Sequence, residues 1–530
     1  MSWMRCVGVM LALVGSGIAS AQDVPPRVVN AAGEADALVA EPPERSSRAD
    51  AFDAFQSSLA EGVTPETNAI VRLWECIGSD AASQLPDEYF ERLGIDRPAP
   101  GGPAFVDVHA FLMAKGLLAP KDAASKRLEE FVRRGARPWR AADDPVAVEW
   151  LEENATPLAI AAEAVRLPGA YSPLVPPSDE RGRGSLYRCL LPGTQCCRQI
   201  GRGFCVRAMV RLGEGDADGA WSDLLAVYRL ARVVARGGTL VDLLVANALD
   251  ESADRAALAF LETVGPDDHG LADRLRDLVA LPGLPTVAER IDHTERFAVL
   301  DTVALLGEQG LDAFDFGDGG PAVGQPMRAK CDRILASLDL EPAFETVDAW
   351  FDRLAADLAE PDRSLRAERM SRFAEDVRGL NTRSAAPHHV AGLLLAGKPA
   401  DAALSRRIGE VVVGLLMPAT DAAVVAADRV RQTHDIVLVA FALASYQRVH
   451  GRYPEMLSDL CPDVLDEVPD DLFRGGVLTY RPDDDGFLVW GVGPNLRDDG
   501  GPSVGAAQFG DDIGVRVTRA ASVVGGEPSR

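Results

Sequence analysis

No stretch of this chain is both long and apolar enough to cross a bilayer as a helix, which takes roughly 20 residues free of charge and proline. Basic residues are in deficit: 54 Lys and Arg stand against 80 Asp and Glu, a net charge of -26. That surplus repels phosphate backbones and anionic lipid surfaces, so nucleic-acid binding is disfavoured, and no integral membrane anchor is expected after processing. The acids are scattered rather than blocked and read mostly as a solvated surface. Catalytic signatures are missing too, with no G-x-S-x-G nucleophile elbow and no H-E-x-x-H zinc pair. His293 lies in the charged run Glu289 to Arg296, where Asp292 and Arg296 share a helix face. His388 and His389 are adjacent, so on a helix they point about 100° apart and cannot readily share a metal. Solvated or hydrogen-bonded histidines account for all three, and no catalytic or cofactor-binding residue is assigned.

Two further patterns imitate known sites and fall short. Gly392 to Lys398 matches most of a phosphate-binding loop, but Pro399 stands where Ser or Thr should hold magnesium and no strand plainly precedes it; an ordinary helix end is the better account. Glu214, Asp216, Asp218 and Gly219 copy the first half of an EF-hand loop, yet Leu225 occupies the position of the bidentate Glu, and an inter-helix turn explains them. Of eight cysteines, Cys6 falls in the leading segment, leaving an odd number. Cys189, Cys196, Cys197 and Cys205 cluster without the paired spacing of a structural zinc. An oxidising compartment favours disulfides over buried thiols, and buried thiols over metal, with the pairing open.

What is present begins with a signal for export. Met1 to Arg5 carry one positive charge, Cys6 to Ile18 form an apolar run, and Ala19-Ser20-Ala21 supplies the small-x-small cleavage pattern. The expected organisation is a signal peptide over 1–21, a flexible leader over 22–50, a helical region over 51–415 comprising one domain or two, an α+β module over 420–517, and a disordered tail over 518–530. Such a start implies a bacterial-type protein in the periplasm or outside the cell.

The fold class expected is mainly α, an irregular helical array. Thr64 with Pro65 reads as a helix start before Ile70, Leu73, Trp74 and Ile77. Helical patterns follow over Phe105 to Lys115, Ala123 to Arg134 and Val146 to Arg166. The clearest stretch is Cys205 to Val264, where Ala208, Leu212, the turn Gly213 to Asp216, and Ala220, Trp221, Leu224, Leu225, Tyr228 and Ala231 resemble one tetratricopeptide-like helix-turn-helix unit. No second copy recurs at a fixed period. Thr239 with Asp242 makes a capping-box start for the next helix. Phe314 to Gln325 reads as a surface loop, and helices resume over Arg328 to Arg378 and Asp401 to His450, with a break at Pro418. Two short strands, Val477 to Arg481 and Gly486 to Val492, then flank an Asp-rich turn, and a last strand falls near Ile513 to Val517.

Several motifs in this last part occur in a telling order: Tyr446 to Pro454 closing a helix, Leu457 and Leu460, Val468-Pro469-Asp470-Asp471-Leu472-Phe473, Leu478-Thr479-Tyr480, Gly491-Val492-Gly493-Pro494-Asn495, Asp498-Asp499-Gly500-Gly501 and Asp511-Asp512-Ile513. Together they resemble the globular part of type II secretion pseudopilins over about Asp435 to Val517. The resemblance implies a long helix packed on a small antiparallel sheet, with a C-terminal loop ordered by calcium. It points to Asp499 and Asp512 as side-chain ligands, with Asp498, Asp511 and Asn495 as further candidates; the chemistry is apt, because calcium takes carboxylate and carbonyl oxygens. The chain departs from that family in lacking the prepilin leader and its long apolar helix, so assembly as a pilus subunit is not expected. The whole chain also resembles exported bacterial proteins that end in this module after a helical region, a likeness that supplies no activity.

The leading functional expectation is an exported, non-enzymatic binding or assembly protein whose partner is another exported or envelope protein. Two alternatives stand beside it: an exported hydrolase whose site is assembled from distant residues, and an envelope structural component.

Overall fold

The computed structural model of the chain describes residues 48–117, 126–179, 182–314, 325–384, 402–417, 420–483, 486–501 and 511–518. The expected signal peptide and nearly all of the expected leader and tail lie outside the described residues, as do the phosphate-loop-like segment, His388, His389 and most of the Phe314 to Gln325 loop. The fold is mainly helical with one small three-stranded antiparallel sheet.

The elements that position the site are α1 (Ala69–Ile77), α2 (Ala155–Ala164), α3 (Pro192–Gly213), α4 (Ala217–Ala235), α5 (Leu240–Val264), α6 (Leu271–Val279), α7 (Arg296–Gln309), α8 (Glu341–Leu358), α9 (Arg363–Ser384), α10 (Ala402–Leu416) and α11 (Thr420–His450). Strands β1 (Thr479–Asp483), β2 (Gly486–Gly491) and β3 (Ile513–Thr518) follow in the order β1-β2-β3.

Helix α1 starts later than Thr64 and Pro65 indicate. Its cap is Asn68, whose side-chain oxygen accepts from the Ile70 amide at 3.0 Å and from the Tyr171 amide at 3.1 Å, while its amide donates to the Tyr171 carbonyl. Thr64 and Thr67 close a turn on each other instead. The stretch Val146 to Arg166 divides into two helices at Asn154, a fully buried residue whose amide holds both Trp150 and Val106.

Helices α3, α4 and α5 pack consecutively, and α3 also reaches α5. Small residues let them approach: a Cβ on Gly201 would lie 2.2 Å from Leu249. Asp223, buried on α4, receives Arg207 at 2.6 Å and Arg211 at 2.8 Å from α3, which locks the hairpin. Asp216 caps α4 by accepting from Gly219, the inter-helix turn expected there. Thr239 and Asp242 form the expected capping box at the start of α5.

Helix α11 joins the two parts of the chain. It packs on α5, α6 and α9 of the helical array and on β2 and β3 of the sheet. Its segment Ile436 to Ala444 is almost entirely buried. β2 is buried along its whole length, with Phe487 set edge-on to Tyr453 at 5.3 Å. Among the described residues no helix is long and apolar enough to cross a membrane.

Candidate functional site

The five residues offered to calcium meet on one loop beside β2 and β3. Asp499 and Asp512 interlock its two ends. Oδ2 of Asp499 accepts from the Asp511 amide at 2.9 Å and from the Asn495 side-chain amide at 2.9 Å. Oδ2 of Asp512 accepts from the Asp499 amide at 2.9 Å and from the Gly501 amide at 2.7 Å. The backbone N-H of Asp511 holds the Asp499 carboxyl below its usual pKa, with the Asn495 amide adding to the effect. Oδ1 of Asp512 is buried and has no hydrogen-bond partner among the described residues.

The other three are occupied otherwise. Asp498 accepts at Oδ1 from the Trp490 indole at 3.0 Å and from the Gly500 amide at 3.0 Å, which depresses its pKa. Asp511 gives Oδ1 to Arg429 of α11 at 2.6 Å and Oδ2 to the Asn495 amide at 3.2 Å. Asn495 uses its side-chain oxygen on the Arg497 amide at 2.8 Å. Among the described residues no group of three or more His, Cys, Asp or Glu side chains is gathered closely enough to hold a metal by themselves.

A buried carboxylate explains the Val468 to Phe473 motif. Asp471, fully buried, accepts from the Phe473 and Arg474 amides at Oδ1 and from the Val492 amide at Oδ2, at 2.9 to 3.1 Å. It thereby fastens its turn to the end of β2. Gln432 of α11 accepts from the neighbouring Leu472 amide, so helix, turn and sheet are joined by polar contacts.

Two buried clusters were not visible in the sequence. In the first, between α4, α5 and α11, Oδ1 of Asp254 accepts from the Tyr228 hydroxyl at 2.7 Å and lies 3.0 Å from Nδ1 of His434. Asp254 is fully buried, and its Oδ2 has no hydrogen-bond partner among the described residues. Asp250, one turn earlier on α5, is paired with Arg232 of α4. In the second, Glu295 ends the π-helical turn Ile291–Glu295 and accepts from the Leu240 amide at the start of α5, at 3.1 Å. Burial pushes its pKa up to about 8.

His293, in the same π turn, stacks on Phe55 with ring centroids 5.9 Å apart, and Arg296 reaches Asp292 at 2.6 Å. In contrast to the bridges expected, Cys196, Cys197 and Cys205 carry free thiols in this structure. Burial pushes the Cys205 thiol up to about 12 and Cys196 to about 11, as expected for thiols packed in a helical core.

In comparisons with known proteins, no family model matches this chain, no curated protein matches it, and no solved structure matches it.

Proposed function

We propose that this chain is an exported, non-enzymatic binding or assembly protein whose pseudopilin-like C-terminal module is ordered by calcium. The observation that carries the metal part is the buried, unpartnered Oδ1 of Asp512 at the point where the two ends of the loop cross. A buried carboxylate oxygen without a partner is costly, and a hard cation is one group that satisfies it. Asp499, held in its ionised form beside it, supplies the second carboxylate; Asp498 and Asp511 serve the loop through Trp490 and Arg429 instead. Calcium supplies positive charge that draws carboxylate and carbonyl oxygens together, which here would pin Asn495 to Gly501 against the start of β3.

The binding role falls to the helical array, in which the tetratricopeptide-like hairpin α3–α4 packs on α5 and α11 connects the array to the sheet; its partner is an exported or envelope protein. Calorimetric titration of the full mature chain with calcium tests the reading. One saturable site, lost on replacing Asp499 and Asp512 by Ala, supports it; no heat beyond dilution, or binding unchanged in the double variant, overturns it.

A further inference from the structure

Asp254 and His434 lie on a seam that the calcium reading does not use. Helix α11 crosses α4 and α5 there, and His434 is the polar side chain it sends toward them, 14% exposed and 3.0 Å from the fully buried Asp254. Its ring also meets Tyr228 edge-on at 5.4 Å. We propose that the Asp254–His434 pair is a pH-sensitive clasp on the seam between α11 and the α4–α5 hairpin, closed while His434 is protonated and loosened as pH rises.

The geometry gives the reason. With His434 protonated, Asp254 has a charged partner and the Tyr228 hydroxyl on the same oxygen. Once His434 loses its proton, a fully buried carboxylate with an orphaned Oδ2 keeps only neutral donors, an arrangement that low-dielectric surroundings make costly. The charged and titratable groups facing His434 are Asp254 and Asp250 of α5, Tyr228 and Arg232 of α4, and Arg431 and Asp435 of α11 itself. Arg232 is held by Asp250 and so does not replace the imidazolium.

The signs of the shifts agree. Burial acts to lower the His434 pKa, but Asp254 and then Asp250 outweigh it and leave it raised above 6.5. A raised His pKa stabilises the closed seam below 6.5, and that contribution is lost as pH rises through the folded value. Burial lifts Asp250 and Asp435 to about 6 each, so their ionisation also weighs against the closed seam as pH rises from their ordinary range through 6. All three therefore favour closure on the acid side. Because α11 also carries Gln432 to the Leu472 turn and Arg429 to Asp511, loosening at His434 reaches the sheet and its Asp loop.

The test uses the full chain with calcium chelated throughout, so that its outcome is separate from the calcium reading. Amide hydrogen exchange over 420–450, corrected for intrinsic rates, is followed from pH 5.5 to 8.5 beside an NMR titration of the histidine side chains. The clasp predicts a fall in protection of about tenfold for each unit by which the His434 pKa is raised, with a midpoint matching its titration. His434→Gln should remove that step. Protection that is flat across this range, a step at the His434 midpoint that persists in His434→Gln, or a His434 pKa at or below 6.5 overturns the proposal. Should His434→Gln fail to fold, the titration and exchange of the unmodified chain decide it.

Discussion

Arg429 of α11 places Nη1 2.6 Å from Oδ1 of Asp511, so a residue of the long helix holds one of the carboxylates that the sequence offers to calcium. Within two turns the same helix holds three other regions. Asp428 receives Arg363 and Arg366 of α9, the latter at 3.0 Å; Gln432 receives the Leu472 amide; His434 meets Asp254. The helix is thus a shared strut whose faces serve the array, the sheet and the loop at once.

Replacing Arg429 by Ala removes a half-exposed ion pair, and such pairs contribute about 0–1 kcal/mol. The expected loss of stability is within that range, and calcium binding is retained because Asp499 and Asp512 are untouched. Chemical denaturation with and without calcium checks both statements.

Gly493 explains the Gly-Val-Gly-Pro-Asn motif sterically. A Cβ there would sit 1.8 Å from the Asp511 carbonyl oxygen, a backbone atom that cannot swing aside. Gly493→Ala should destabilise the loop by about 1–3 kcal/mol, as overpacking generally does. It should also weaken the calcium response, which a melt of the variant reads directly.

Asp254→Ala deletes the acceptor of both Tyr228 and His434. Removing one member of a buried pair costs about 3 kcal/mol or more, and His434 can shed its proton, which places the expected loss near that lower bound. Urea denaturation measures it, and a loss below about 1 kcal/mol contradicts the cluster as drawn.

Glu295 gives a separate pH signature. Below 4.5 it is protonated folded and unfolded alike; between 4.5 and about 8 the unfolded chain ionises first. Stability therefore falls with rising pH across that window and levels off above it. Glu295→Gln keeps the acceptor for Leu240, so it should flatten this slope and stabilise the chain by roughly 1–3 kcal/mol at pH 8. Denaturation curves at pH 5 and pH 8 test it.

What could be read from sequence follows the range of the interactions involved. The Thr239–Asp242 capping box and the turn capped by Asp216 are set by neighbours a few residues apart and are legible as local motifs. The three strands also fall within about two residues of their expected places, although β3 pairs with β2 residues 22 to 32 positions before it. Asn68 carries no local signal that outranks Thr64 with Pro65, because its role as cap depends on Tyr171, 103 residues away. Asp254 and His434 are 180 residues apart, with no local motif at either end. Within the Asp loop the chemistry of the residues was legible, but not how they divide the work. Arg429, 82 residues before Asp511, takes that carboxylate, and Trp490 takes Asp498.

The most direct measurement of the central claim is the thermal melt of the full chain in calcium and in chelator, repeated on Asp512→Asn. A ligand that binds only the folded state adds about 2.7 kcal/mol at a hundredfold excess over its Kd. The account predicts a calcium-dependent rise in the midpoint that Asp512→Asn abolishes. A midpoint indifferent to calcium, or an equal rise in the variant, would contradict it.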